Sequence, residues 1–263
     1  GSGNAVIVGA GATGVELAAQ LQAVIDSQTR LGRSKQGDPL NITLLEAADQ
    51  CLPSMEPELA TRLEQQLRDM GIDVRLSTAV EGVNSDGVQT GDGTIDAGLV
   101  IWAAGIKAHD WLCDLGLKTD DKNRIVTNGM LQSVSDNNVL ALGDCAAVPH
   151  GDAVVPALAQ AAFQQADYLA RQIPKLLEDQ EVESPFQFVD RGTLITLAGQ
   201  DAVGSVRTRL VRRFRLYGVW AKIAYRMLYR RHQLAIVGPW QTTNAILRSW
   251  LGKWSGPPSS GPQ

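Results

Sequence analysis

Cysteines are few in this sequence and lie too far apart for a disulfide framework or a structural zinc site. The chain of 263 residues has three of them, Cys51, Cys113 and Cys145, and no CxxC pair. Disulfide-rich folds and zinc sites need closely spaced or evenly paired cysteines. We therefore expect no bound metal, and an environment that keeps thiols reduced.

Long apolar stretches are also missing. Although 44% of the residues are hydrophobic, no part of the chain stays apolar and uncharged over the roughly 18 residues that a membrane-spanning helix needs. The sequence therefore predicts no membrane span. The hydrophobic residues are numerous enough for a buried core, and the length allows one or two domains.

Acidic residues are absent from the C-terminal part. Residues 202–263 hold 11 lysines and arginines and no aspartate or glutamate, whereas residues 1–201 hold the other 13 basic residues and all 28 acidic ones. The formal charges of the two parts are therefore +11 and −15, which sum to the net −4. This asymmetry indicates a basic end that meets an anionic surface.

The beginning of the chain carries a dinucleotide-binding pattern. An apolar strand is predicted at residues 5–8, and Gly9, Gly11 and Gly14 form a GxGxxG motif that leads into an apolar helical pattern. Strand, turn and helix are the context that this motif requires. Gly9 permits the tight turn, Gly11 lets the backbone approach a pyrophosphate, and Gly14 allows the helix to pack closely on the strand. The pyrophosphate would lie on the amides of the helix that begins near Ala12.

Glu46 directly follows the second predicted strand, Asn41–Leu45. A carboxylate at this position can accept hydrogen bonds from the ribose hydroxyls of the adenosine, and it repels a 2′-phosphate, so it favours NAD over NADP. The gap from Gly14 exceeds the usual spacing of about 20 residues, because residues 27–38 form a polar insertion. A solvated acid at a strand end is the alternative interpretation.

The pattern around these motifs predicts an α/β fold. A helix begins near Pro57 and ends before Gly71, short strands with glycine-containing turns follow, and residues 99–103 are another apolar strand. This β-α-β-α-β order with a small β-meander is typical of a Rossmann domain. Further strands are predicted at 124–127, 138–142, 186–188 and 193–197, and further helices at 156–173, 218–231 and 243–254. Pro156 would lie in the first turn of its helix, and Pro174 would end it.

Taken in order, these blocks resemble the type II NADH:quinone oxidoreductases, most closely the bacterial ones. Residues 5–17, AVIVGAGATGVEL, are similar to the NADH-binding fingerprint of that family. The later blocks are TLLEA at 43–47, WAAGIK at 102–107, GDCA at 143–146, AQAAFQ at 159–164 and DRGTL at 190–194. The block at 159–164 is similar to the AQxAxQ quinone-site motif. That motif and the basic, aromatic C-terminal part make the resemblance specific, and it covers residues 4–254.

The resemblance implies part of a Rossmann-like flavoprotein fold with two dinucleotide sites. Residues 1–118 would be the NADH-binding domain, and residues 119–175 would be the returning half of the FAD-binding domain. Residues 176–254 would form an α+β region that associates with the membrane, and residues 255–263 would be a disordered tail. Members of the family begin with an FAD-binding GxGxxG, whereas this sequence opens on the NADH fingerprint. We therefore expect that the N-terminal flavin-binding segment is lacking and that the chain alone is colourless and inactive.

The resemblance also assigns cofactor-binding residues. Ala104 and Gly105 would let the chain pass close to the bound cofactor, since small residues permit close approach. The N-terminus of the helix at Ala159 would stabilise the charge of reduced FAD. The full set for NADH is Gly9, Gly11, Thr13, Gly14, Glu46, Ala104 and Gly105, and the set for FAD is Gly143, Asp144 and Ala159.

Three residues are predicted to be catalytic. Gln160 and Gln164 are four residues apart and so lie on one helical face, which the resemblance assigns to the quinone pocket; the alternative is an exposed helix face. Glu16 would lie near the nicotinamide, or would stabilise the dipole of its helix. The implied reaction takes hydride from NADH to FAD and two electrons from the flavin to a quinone of the respiratory chain.

The expected partners are a quinone and an anionic membrane surface, but no nucleic acid, and a homodimer is left open. At 218–231, Lys222, Arg226 and Arg230 share one face beside an apolar stripe, which is the pattern of an interfacial helix. The stripe could instead pack on the protein itself. The resemblance implies a peripheral protein on the cytoplasmic face of the inner membrane.

Other interpretations remain open. A disulfide reductase of the same fold needs a redox-active cysteine pair, and a sulfide:quinone oxidoreductase needs cysteines placed to attack sulfide, but Cys113 and Cys145 form no evident pair. A fragment that binds NAD and a membrane without catalysis is the remaining possibility.

Overall fold

A computed structural model describes residues 3–31, 40–53, 55–178, 180, 184–197, 201–206 and 214–218, together with residues 220, 223 and 227. The first part contains helices α1 (Ala12–Arg30) and α2 (Pro57–Asp69). Its strands are β1 (Asn4–Val8), β2 (Asn41–Leu45), β3 (Asp73–Arg75), β4 (Val80–Asn84), β5 (Gly87–Thr90), β6 (Gly93–Ile95) and β7 (Leu99–Trp102). Four of them form a parallel sheet in the order β3-β2-β1-β7, and β4, β5 and β6 form an antiparallel meander.

The parallel sheet is buried because its central strands are apolar on both faces. Four of the five residues of β1 are buried, as are four of the five of β2, which is the pattern that parallel strands covered on both sides require. α1 packs on this sheet through small side chains, including Ala18 and Ala19. The sheet, the helices and the meander therefore form the predicted α/β arrangement.

The second part is built around α3 (Ala159–Leu177). Its strands are short: β8 (Ile125–Val126), β9 (Ala146–Ala147), β10 (Pro149–His150) and β11 (Ala153–Val154). Two 3₁₀ helices, Asp110–Leu115 and Gly143–Cys145, complete it. Leu112, Leu131, Val148 and Leu169 are buried in one core, so this core begins before residue 119.

A third sheet follows in the chain. The strands β12 (Gly192–Leu197), β13 (Asp201–Val206) and β14 (Phe214–Tyr217) are antiparallel in that order. Ile195 and Leu197 of β12 are buried in the same core as α1 and the parallel sheet. The segment after α3 therefore returns to the first part of the protein.

The structure differs from the predicted elements in the second part. α3 begins at Ala159 rather than at Pro156, and Pro174 lies inside it. Proline removes one backbone hydrogen bond from a helix, but the helix can continue past that gap. Residues 138–142 form no strand, only an isolated bridge from Leu140 to Gln132. Residues 186–188 are not a strand either.

Only a few residues of the C-terminal predictions can be compared with the structure. Within 218–231, the described residues Gly218, Trp220, Ile223 and Met227 are helical. The predicted helix at 243–254 and the tail at 255–263 lie outside the described residues. Among the residues that are described, no helix is both long and apolar enough to cross a bilayer.

Candidate functional site

The turn between β1 and α1 needs glycine at two positions for packing and leaves the third open. Gly9 has a φ of +103°, and a Cβ there would lie 2.8 Å from the Cα of Ala104. A Cβ at Gly14 would collide with the carbonyl oxygen of Gly9. Gly11, the N-cap of α1, has a φ of −69°, and nothing lies within 4 Å of its added Cβ. The fold alone therefore does not require glycine at position 11.

Glu46 fixes this turn from the end of β2. Its Oε2 accepts a hydrogen bond of 2.7 Å from the Ala10 amide, and its Oε1 accepts one of 3.0 Å from the Ala48 amide. The Gly9 amide donates to the Leu45 carbonyl at 2.7 Å. Each carboxylate oxygen keeps a second lone pair, so Glu46 can hold the turn and still accept a hydroxyl hydrogen bond.

The loop after Glu46 closes the other side of the turn. The Leu52 amide donates to the Ala10 carbonyl at 2.9 Å, and Gln50 Nε2 donates to the carbonyl of Met55 at 3.2 Å. Burial of the thiol, together with the carboxylates of Glu64 and Glu46, raises the pKa of Cys51 to about 12. A thiol with this pKa stays protonated near neutral pH and is a poor nucleophile.

The predicted NADH residues meet at the carboxyl ends of β1, β2 and β7. Thr13 is exposed in the first turn of α1. Ala104 lies against Gly9, and Gly105 is exposed with a φ of +81° and open space around its added Cβ. Ligands of open α/β sheets bind in the crevice outside these strand ends. This crevice can therefore accept a dinucleotide, with its pyrophosphate on the open side of Gly11.

Glu16 has a partner that the sequence did not reveal. Its Oε1 accepts hydrogen bonds from the amide of Thr196 at 3.2 Å and from the Thr196 hydroxyl at 3.5 Å. The first turn of α1 contains no acidic residue, so Glu16 lies beyond the turn where an acid stabilises the helix dipole most. It connects α1 to β12 instead.

The predicted FAD residues meet at the N-terminal end of α3. Gly143 has a φ of +70° in the 3₁₀ helix before α3, and Asp144 beside it is exposed. The Gly143 amide donates to Gln165 Oε1 at 2.6 Å, and Gln165 is buried. Ala159 is exposed at the first residue of α3, whose N-cap makes no side-chain hydrogen bond. An exposed carboxylate and free helix amides can together contact a polar ligand.

Comparison with known proteins shows the family to which the chain belongs. The profile of the pyridine nucleotide-disulphide oxidoreductases matches residues 2–166, which run from β1 into α3. The chain belongs to this family. Both turns described above, at Gly11 and at Gly143, lie within the matched residues.

Curated relatives confirm the resemblance to type II NADH:quinone oxidoreductases. A type II NADH:quinone oxidoreductase from Haemophilus influenzae is 36% identical over 240 residues, which are 89% of this chain and 54% of the relative. One from Staphylococcus aureus is 33% identical over 210 residues, which are 76% of this chain and 51% of the relative. The chain thus spans about half the length of the curated relatives it matches.

A solved structure shares the fold at lower identity. The structure of NDH2 from Plasmodium falciparum in complex with NADH matches with a TM-score of 0.77 and 16% identity, and covers 98% of this chain and 67% of that chain. The predicted α/β fold class is therefore confirmed. The association of the C-terminal region with a membrane stays a prediction.

Gln160 and Gln164 share one face of α3, as their spacing predicts, and both side-chain amides contact the backbone of residues 189–192. Gln164 Nε2 donates to the Val189 carbonyl and its Oε1 accepts from the Val189 amide, each at 3.0 Å. Gln160 Oε1 accepts from the Arg191 amide at 3.0 Å. Its Nε2 donates to Asp190 Oδ1 and to the Gly192 carbonyl, each at 3.3 Å.

Three polar residues make contacts at these sites that the sequence did not predict. They are Gln165, Asp190 and Thr196. Gln165 stands next to Gln164 in the sequence, and its position among apolar residues of α3 was a signal that it is buried. Asp190 and Thr196 gave no such signal, because their partners lie 30 and 180 residues away.

Proposed function

We propose that this chain is the NADH-binding and C-terminal part of an FAD-dependent type II NADH:quinone oxidoreductase. The observation that carries the proposal is the turn at Gly11, which is open to a ligand on one side while Glu46 fixes it on the other. The names of the curated relatives support the quinone as electron acceptor. Glu46 favours NADH over NADPH, because its charge repels a 2′-phosphate.

The residues present fit NADH and one part of an FAD site. Gly11, Thr13, Ala104 and Gly105 would hold NADH in the crevice, with the pyrophosphate on the N-terminal amides of α1. Asp144 and the first residues of α3 would hold FAD. Bound FAD would supply the two-electron redox chemistry between the nicotinamide and the quinone. The chain itself would bind and orient the two partners, and Glu16 would lie beside the nicotinamide.

The quinone site is proposed at the face of α3 that carries Gln160 and Gln164. A lipid-soluble quinone requires access from a bilayer, and we propose that the basic C-terminal region docks on the cytoplasmic face of an anionic membrane. Trp220, Ile223 and Met227 support this docking, because they are exposed at the three-and-four spacing of one helix face. The protein would then bind the membrane peripherally.

The cofactor proposal is tested by placing a methyl group where the pyrophosphate would lie. Gly11→Ala should fold normally, because its φ of −69° suits alanine and no atom lies within 4 Å of the new Cβ. We expect its melting temperature to change little, because the lower entropy of the unfolded chain offsets the weaker N-cap that alanine provides. Its affinity for NADH, measured by titration calorimetry, should fall by at least about tenfold, which corresponds to about 1.4 kcal/mol.

Gly14→Ala is the matched comparison. Its new Cβ would collide with the Gly9 carbonyl, so this variant should lose stability as well as NADH binding. Equal NADH affinity in Gly11→Ala and the unaltered chain would contradict the pyrophosphate position. Equal affinity of the unaltered chain for NADH and NADPH would contradict the role of Glu46.

A further inference from the structure

The side-chain amides of Gln160 and Gln164 are already used within the protein. Gln164 pairs with both the amide and the carbonyl of Val189, in the way that one peptide group pairs with another. Gln160 accepts from the Arg191 amide and donates to Asp190 and Gly192. Both N–H groups of Gln160 donate within the protein, so a ligand that took a hydrogen bond from Gln160 would have to break one of these contacts, whereas Gln164 uses only one of its two N–H groups for Val189.

The segment held by the two glutamines, residues 189–192, leads directly into β12. Asp190 Oδ1 also accepts from the Gly192 amide at 2.9 Å, so the segment is bound at successive residues. Four residues later, Thr196 bonds to Glu16 on α1. The chain from Val189 to Thr196 therefore connects the helix of the proposed quinone site, α3, with the helix of the proposed NADH site, α1.

We propose that Gln160 and Gln164 are positioning residues, which hold the 189–192 segment against α3 as a wall of the electron-acceptor site and act on the quinone through that segment. This inference rests on the proposed function for the identity of the acceptor. It differs from a role in which the two side-chain amides donate directly to the quinone. In that case, loosening the 189–192 segment should leave quinone binding unchanged as long as both glutamines are present.

The first test measures backbone hydrogen exchange at the two amides that the glutamines accept from. Gln164→Ala should speed exchange of the Val189 amide by at least about tenfold, and more than it speeds exchange of the Arg191 amide. Gln160→Ala should speed exchange of the Arg191 amide by at least about tenfold, and more than it speeds exchange of the Val189 amide. Asp167→Asn is the control, because this exposed residue of α3 bonds to Arg171 and not to the segment. It should leave both rates unchanged.

The second test separates an action through the segment from direct contact. Asp190→Ala removes one acceptor of Gln160 and the acceptor of the Gly192 amide, and it keeps both glutamines. Binding of menadione, a soluble quinone, is measured by equilibrium dialysis. We expect Asp190→Ala to weaken binding about as much as Gln160→Ala does, by about fivefold, which corresponds to about 1 kcal/mol.

The outcomes distinguish the positioning role of the two glutamines from the quinone site proposed on α3. Unchanged exchange in both glutamine variants would overturn the proposal. So would normal menadione binding by Asp190→Ala together with weak binding by Gln160→Ala, since the amide would then contact the quinone itself. If the unaltered chain binds no menadione, the quinone site proposed on α3 fails, and the exchange rates alone decide whether the glutamines hold the segment.

Discussion

Polar side chains at both predicted cofactor sites bind backbone amides of the neighbouring turns. Glu46 accepts from the amides of Ala10 and Ala48, and Gln165 accepts from the amide of Gly143. Such bonds fix the backbone that a ligand would contact. A substitution at one of these residues should therefore change stability and ligand binding together.

Glu46→Ala should destabilise the protein by about 1–3 kcal/mol, because two amides lose a charged acceptor. It should also reduce the preference for NADH over NADPH, since no negative charge would remain to repel the 2′-phosphate. Urea unfolding and titration with both nucleotides measure the two effects. Glu81→Ala, at an exposed position of β4, is the control and should leave both unchanged.

The residue-level contacts were only partly predictable from the sequence. The spacing of Gln160 and Gln164 correctly predicted one shared helix face, and the GxGxxG motif predicted a tight turn after β1. The partners of those glutamines could not be read from spacing, because Val189 and Arg191 lie 25 and 31 residues further along the chain. Their position depends on how β12 packs, which no local pattern encodes.

At the level of elements, the sequence predicted helices and strands best where apolar periodicity was strong. β2 and the start of α2 lie where the pattern placed them. The start of α3 was wrong because Pro156 suits both a first helical turn and an extended link, and it lies in the link between β11 and α3. The predicted strand at 138–142 was wrong because its apolar residues pack against the core from a loop. Within that loop, Leu140 forms only an isolated β-bridge with Gln132.

The turn that leads into β8 depends on one ion pair. Asp120 Oδ2 and Arg124 Nη2 lie 2.6 Å apart, and both side chains are mostly buried. Asp120 Oδ1 also accepts from the amides of Lys122 and Arg124. Burial raises the pKa of Asp120, but the hydrogen bonds from Arg124 and Lys122 outweigh it, and the net pKa is lowered.

Asp120→Asn should therefore lower the stability by about 2 kcal/mol at pH 7, since it leaves the Arg124 charge without its partner. A lowered carboxyl pKa stabilises the folded state above the unfolded pKa of about 3.9, and this contribution is lost as pH falls through the folded pKa. The difference between variant and unaltered protein should thus shrink below about pH 4. Urea unfolding across pH 3–7 measures it.

The exposed pair Asp167–Arg171 provides the comparison for this prediction. Its side chains are 57% and 62% exposed, so Asp167→Asn should cost less than about 0.5 kcal/mol at any pH. A cost for Asp120→Asn that is equally small, or that grows as the pH falls, would contradict the role of the ion pair.

For the whole molecule, the uneven charge and the exposed apolar side chains near the C-terminal end predict binding to anionic lipid. Trp220 is 72% exposed and Met227 is 69% exposed. Replacing both with alanine should weaken cosedimentation with anionic vesicles by at least about tenfold, because each large apolar side chain contributes about 1.5–3 kcal/mol when buried. Binding of the unaltered chain should fall with salt and with neutral lipid.

Trp111→Ala is the control for that experiment, since Trp111 is also exposed but lies in the second part of the protein. It should bind vesicles as the unaltered chain does. Vesicle binding that ignores lipid charge, or that survives loss of Trp220 and Met227, would contradict the proposed docking surface.

The return of β12 to the first core has a consequence for synthesis on the ribosome. β7 ends at residue 102, yet Ile195, which lies in the same core as α1, is made 93 residues later. At about 5–20 residues per second, the nascent chain exposes that apolar surface for roughly 5–20 s. A chaperone that binds apolar surface should thus contact nascent chains that end between residues 110 and 190 of this sequence more strongly than those that end beyond residue 240.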